Sequence, residues 1–173
     1  YPSWLAALFP ATFSRPMAEY HHDFWRWLWD ITPGVSPRPY VAVWARGWSK
    51  STCAEAGAIA LGAHGGRHYV LYVCGTQPQA DDHVTSIALH LESEEVAAQY
   101  PAMAQMWVGK FGNARGWRRN RLSTALGFTV DGIGLDVAMR GAKLGNYRPD
   151  VIVFDDIDDS TDGPERVLHK VQA

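Results

Sequence analysis

The chain has 173 residues, 47% of them apolar and 20% charged, which fits one domain with its own core and excludes a disordered polymer. Sixteen basic and 18 acidic side chains leave a net charge of −2, which excludes a uniformly basic nucleic-acid coat; any DNA contact must come from a local patch. Two cysteines, Cys53 and Cys74, are too few for a disulfide framework and read as reduced thiols of an intracellular protein.

In chain order, the apolar start Tyr1 to Pro10 lacks a basic region and is broken by prolines, so it does not read as a signal peptide. The first residue is not Met and the last residues look helical, so we expect an excerpt of a longer protein. Apolar residues at 17, 20, 24, 25, 27, 28 and 31 recur with helical spacing. Prolines and glycine at 33–39 then break the chain. Tyr40 to Ala45 reads as a buried strand and Ser51 to Leu61 as the helix after it. His68 to Cys74 is a second strand, followed by helices near 79–91 and 94–100. Leu126 to Val130 and Ile133 to Met139 flank Asp131-Gly132, which predicts a β-hairpin over 126–139. Val151 to Phe154 is a continuous apolar run suited to a strand covered on both faces. No apolar run is long enough to span a membrane. Strands alternating with helices predict an α/β domain with a mainly parallel sheet between helices.

The first chemistry lies in Ala45-Arg46-Gly47-Trp48-Ser49-Lys50-Ser51-Thr52, where a loop leads into a helix that opens with Lys-Ser-Thr. A phosphate there would meet unpaired backbone N–H groups and the positive end of the helix dipole. Lys50 would reach the terminal phosphates, and the Ser51 hydroxyl would ligate Mg²⁺. The match to a phosphate loop is imperfect, since Trp44 and Ser49 stand where glycines are usual; the segment also reads as an ordinary helix start. A second element supports the first. Val151 to Phe154 delivers Asp155 and Asp156 at its carboxyl end, the edge where open parallel sheets bind ligands. One carboxylate could hold Mg²⁺ and the next polarise a water. Asp158, Ser160, Asp162 and Gly163 mimic a calcium loop, but His169 falls where its bidentate Glu belongs, and calcium is excluded. Asp81-Asp82-His83 reads as acids at a helix start rather than as a metal site.

These motifs, with Trp117, Arg140-Gly141 and Arg148-Pro149-Asp150 in order between them, resemble the large terminase subunit of tailed bacteriophages, from about residue 13 to the end. The resemblance implies a P-loop ATPase fold of the ASCE type: an N-terminal helical, adenine-side segment over 1–36, then a core over 40–173. The family's C-terminal nuclease domain is not in this sequence. The implied function is that of an ATP- and Mg²⁺-dependent motor driving double-stranded DNA into a procapsid. Its partners would be portal protein, the small terminase subunit and copies of itself in a ring, in the cytoplasm of a bacterial host. By motif, Arg46, Gly47, Trp48, Ser49, Lys50, Ser51 and Thr52 would hold nucleotide, with His21 near the adenine. Lys50 and Arg46 would act on the phosphates. Ser51 and Asp155 would bind magnesium, and Asp156 would take the place of the usual catalytic Glu. Arg140, with Arg148 as runner-up, would reach a neighbouring subunit's phosphates. Arg115, Arg118, Arg119 and Arg121, beside Lys110 and Trp117, form the one concentrated basic patch, which reads either as a grip on a DNA phosphate backbone or as a solvated loop with its Trp anchored in the core. Two rival readings are a helicase-like P-loop ATPase and a nucleotide-binding assembly module without turnover.

Overall fold

The computed structural model describes residues 1–113, 117–136 and 148–157. Among the described residues nine elements follow one another: α1 (Pro2–Leu8), α2 (Glu19–Trp29), α3 (Lys50–Ala63), β1 (Tyr69–Cys74), α4 (Gln77–Leu91), α5 (Glu94–Gln99), β2 (Arg121–Ser123), β3 (Thr129–Gly134) and β4 (Val151–Phe154). The four strands form one sheet in the order β2-β3-β1-β4. β1 runs parallel to both β3 and β4, while β2 is antiparallel to β3. The domain is therefore α/β with a small, mostly parallel sheet, as expected. All six residues of β1 are buried, which is what a Val-, Leu- and Tyr-rich strand requires when neighbours flank it and helices cover it. Because the three strands are parallel, Cys74, Gly134 and Phe154 end at one edge, and the segments that follow them converge there.

The core joins α1, α2, α3, α4 and the sheet through Leu5, Leu8, Trp25, Leu28, Ile59, Tyr72, Ile87 and Phe128. α3 is built largely of Ala and Gly and has no wide polar face; residues Cys53 and Glu55 to Gly62 are all buried. Small side chains let its neighbours approach its backbone closely, which seats the helix and the loop before it. At the opposite edge of the sheet, the Asp150 carboxylate accepts from the N–H groups of His68 and Tyr69, both at 2.9 Å, and fixes the register of β4 on β1. Among the described residues, no helix is long and apolar enough to cross a membrane.

Four expectations are corrected. Residues 40–45 form no strand and pair with none among the described residues. Tyr40 and Trp44 lean on α2 through Phe24, while Val41 and Val43 are 78% and 90% exposed, so aromatic packing replaces a strand neighbour. Val151 to Phe154 is a strand, but an edge strand covered on one face only: Ile152 and Phe154 are 53% and 61% exposed. Asp81 and Asp82 lie beyond the first turn of α4, so they do not act as its N-terminal acids.

The fourth correction concerns the hairpin. Asp131-Gly132 is not a turn but the middle of β3; the reversal lies at Thr124 to Gly127, between β2 and β3. Residues 137–139 of the expected hairpin lie outside the described residues. Asp131 is buried and paired with the Arg121 guanidinium and, at 2.5 Å, the Tyr69 hydroxyl, so it works as an anchor between strands. Gly132 is required by close packing, since a Cβ there would lie 2.8 Å from the Ala80 carbonyl oxygen on α4. We expect Gly132→Ala to lower the unfolding free energy by about 1–3 kcal/mol, read from the midpoint of urea denaturation.

Candidate functional site

The loop from Ala45 to Ser49 leads into α3 with a reversal that puts two residues in the left-handed region: Gly47 at φ 81° and Ser49 at φ 60°. The Trp48 N–H is taken by the Ala45 carbonyl, and the Cys53 N–H by that of Ser49. The N–H groups of Lys50, Ser51 and Thr52 open the helix and have no acceptor four residues back within it. Lys50 folds over the loop: its Nζ donates to the Trp44 carbonyl at 2.9 Å. Residues 45–52 and Asp156 together line a cleft of about 310 Å³. The loop and the acid-tipped strand thus meet at the carboxyl edge of the parallel strands.

α2 braces this loop. Tyr20 stacks on Trp48 with ring centres 5.0 Å apart and planes 14° apart, and its ring also meets Trp44. His21 Nδ1 accepts from the Ala18 N–H at 3.1 Å. Its Nε2 therefore carries the proton and donates to the Trp48 carbonyl at 3.2 Å. His21 also borders a second cavity of about 390 Å³, walled by the 11–17 segment, Ser49, Thr52 and Cys53. Cys53 is buried, and burial pushes its thiol up to about 12 against a weaker opposing pull from Trp25.

The two acids of the strand end differ in surroundings. Asp156 takes a left-handed backbone, φ 45°, lines the cleft, and offers its carbonyl to the Gly75 N–H. Asp155 is buried: its Oδ2 accepts from the Tyr72 hydroxyl at 3.1 Å and lies 3.8 Å from His83 Nε2. His83 Nδ1 meets Glu55 Oε1 of α3 at 2.6 Å, and Ser86 donates to Glu55 Oε2 at 2.7 Å. The imidazole stacks on Tyr72 at 4.5 Å. Burial opposes a charge on His83, but its contacts with Cys74 and Glu55 outweigh that and push it up to about 10. Burial, then the charges of Asp155 and Glu55, hold the Tyr72 hydroxyl protonated far above the usual range, which keeps it a donor.

The remaining expected residues are more scattered. Arg121 is committed to Asp131, and Arg119 reaches Asp81 at 3.2 Å. Arg118 pairs with Arg121 through the backbone, and the Trp117 indole donates to the Ser123 carbonyl. Arg148 is exposed just before β4, at the sheet edge opposite Asp155. Arg115, Arg140 and Gly141, and the 158–169 stretch weighed as a calcium loop, lie outside the described residues. No protein-family model, curated protein or solved structure matches this chain. The fold and the site stand on their own geometry.

Sequence reasoning passed over Glu55 and Tyr72 and gave His83 no partner. One signal was present: Glu55 is the only charged residue in the otherwise small and apolar run from Thr52 to Ala63, and a buried acid must be paired. We expect iodoacetamide at pH 8.5 to leave Cys53 unmodified in the folded chain and to alkylate it fully in urea, as read by intact mass; the buried thiol is neutral at that pH.

Proposed function

We propose that the chain is a nucleotide-hydrolysing domain, the ATPase motor of a terminase large subunit that drives double-stranded DNA into a procapsid. The observation that carries this reading is the shared cleft: the loop 45–52, its lysine and Asp156 border one space at the carboxyl ends of parallel strands. The order of motifs along the chain supports the assignment to terminases.

In this reading the Lys50 ammonium exchanges the Trp44 carbonyl for phosphate oxygens, while the N–H groups opening α3 receive the same anion. Arg46 adds a second cation at the rim. The His21 side supplies the wall for the base, since its cavity adjoins the loop through Ser49 and Thr52. Ser51 and Asp155 would hold magnesium. A hydroxyl and a carboxylate are the hard oxygen donors that ion prefers, and one or two protein ligands suffice when phosphate and water oxygens complete the shell. When bound, the ion would neutralise charge on the phosphates. Asp156 accepts a proton from, or orients, the attacking water. Partner subunits, portal and DNA belong to this proposal through the resemblance. So do a trans-acting Arg140 or Arg148 and a DNA contact at Arg115, Arg118 and Arg119. Arg121 is spent on Asp131, so we leave it out of the DNA contact.

ATP with Mg²⁺ at a hundredfold its Kd should raise the melting temperature by about 5–10 °C. Lys50→Ala should abolish that rise, and an unchanged rise in the mutant would refute the loop assignment. Asp156→Asn should keep the thermal shift and cut phosphate release by at least roughly 100-fold, measured with double-stranded DNA present. A wild-type chain that binds ATP but releases no phosphate would favour a nucleotide-binding module without turnover.

A further inference from the structure

Four elements send polar side chains to one buried point beneath the cleft. Glu55 comes from α3, His83 and Ser86 from α4, Tyr72 from β1, and Asp155 from the end of β4. The Glu55 and His83 side chains are only 10% and 18% exposed, so both have left most of their water behind. A merely space-filling role would be met at lower cost by apolar residues of the same volume, since burying ionisable groups costs several kcal/mol before pairing offsets it.

The geometry has a direction. Glu55 holds the imidazole from the phosphate-loop helix, Ser86 of α4 holds the other oxygen of Glu55, and the stack on Tyr72 fixes the ring plane. The Tyr72 hydroxyl and His83 Nε2 both address the same oxygen of Asp155, Oδ2. Oδ1 has no hydrogen-bond partner among the described residues. Oδ2 is thus engaged and Oδ1 is left without a hydrogen bond among those residues; Asp155 itself is buried, and it is the next residue, Asp156, that lines the cleft.

We infer that His83 is a positioning residue for Asp155: braced by Glu55, it fixes the carboxylate so that its open oxygen can take a divalent cation accompanying a bound nucleotide. The inference rests on the proposed nucleotide site and adds the group that orients its metal carboxylate. It also ties α3, which carries the loop, to the acid strand through one side chain. Outer partners of this kind orient metal ligands, and removing one typically weakens metal affinity by about 10–100-fold.

The test uses the full chain and two thermal-shift series, ATP in EDTA and ATP with Mg²⁺ titrated in. In His83→Ala the EDTA shift should persist, while the Mg²⁺ midpoint for the additional shift rises by at least roughly 10-fold. His83→Gln, which retains an N–H donor, should recover part of that loss. An unchanged Mg²⁺ midpoint in His83→Ala overturns the inference. So does loss of the EDTA shift together with the Mg²⁺ increment, because His83 would then only hold the fold. If the alanine variant does not fold, Glu55→Gln decides: a raised Mg²⁺ midpoint supports the brace, and an unmoved one rejects it. A wild-type chain with no shift under either condition refutes the nucleotide site and this inference with it. Binding in EDTA with no Mg²⁺ effect refutes the inference alone.

Discussion

The parallel pairing of β1 with both β3 and β4 is the constraint from which the rest follows. Each pairing sets the direction of the chain, so three strand ends share one edge, and whatever follows Cys74, Gly134 and Phe154 must gather there. The Asp150 carboxylate, clamped on the N–H groups of His68 and Tyr69, sets the register of β4. A shift of one residue would turn Val151 and Val153 out and Ile152 and Phe154 in, and would carry Asp155 away from Tyr72. The placement of the acids therefore depends on a hydrogen-bonded anchor at the far end of the sheet.

Much of this arrangement was legible in the residues. Helical spacing marked α2, and the runs at 68–74 and 151–154 marked β1 and β4 with little error at their ends. The failures share a cause: local signals report what a residue tolerates, not what lies next to it. Asp-Gly is a good turn former, yet here the Asp is paid for by Arg121 and Tyr69, and the Gly by the close backbone of α4. The run at 40–45 has the composition of a covered strand, but only its aromatic side finds neighbours. The one-sided cover of β4 was equally invisible, because its four residues are all apolar whichever way they face.

The site was legible in part and for similar reasons. Lys50, Ser51 and the paired aspartates stand out because their spacing has meaning within a short window. The group beneath them is drawn from residues 55, 72, 83, 86 and 155, and no local pattern links those positions. The basic patch shows the opposite error. Its arginines are adjacent in sequence, yet Arg121 turns inward to Asp131 and Arg119 toward Asp81, so a cluster on paper is divided in space.

Ser49 occupies a backbone region that costs a residue with a Cβ roughly 1–2 kcal/mol and that glycine enters freely. The turn therefore does not owe its shape to its own preferences. It is held from outside, by the imidazole on the Trp48 carbonyl and by the tyrosine ring lying flat on the indole beside it. Such a turn behaves like a spring kept under load by α2: loosening that helix would let it relax, whereas a glycine at 49 would leave it at rest where it already stands.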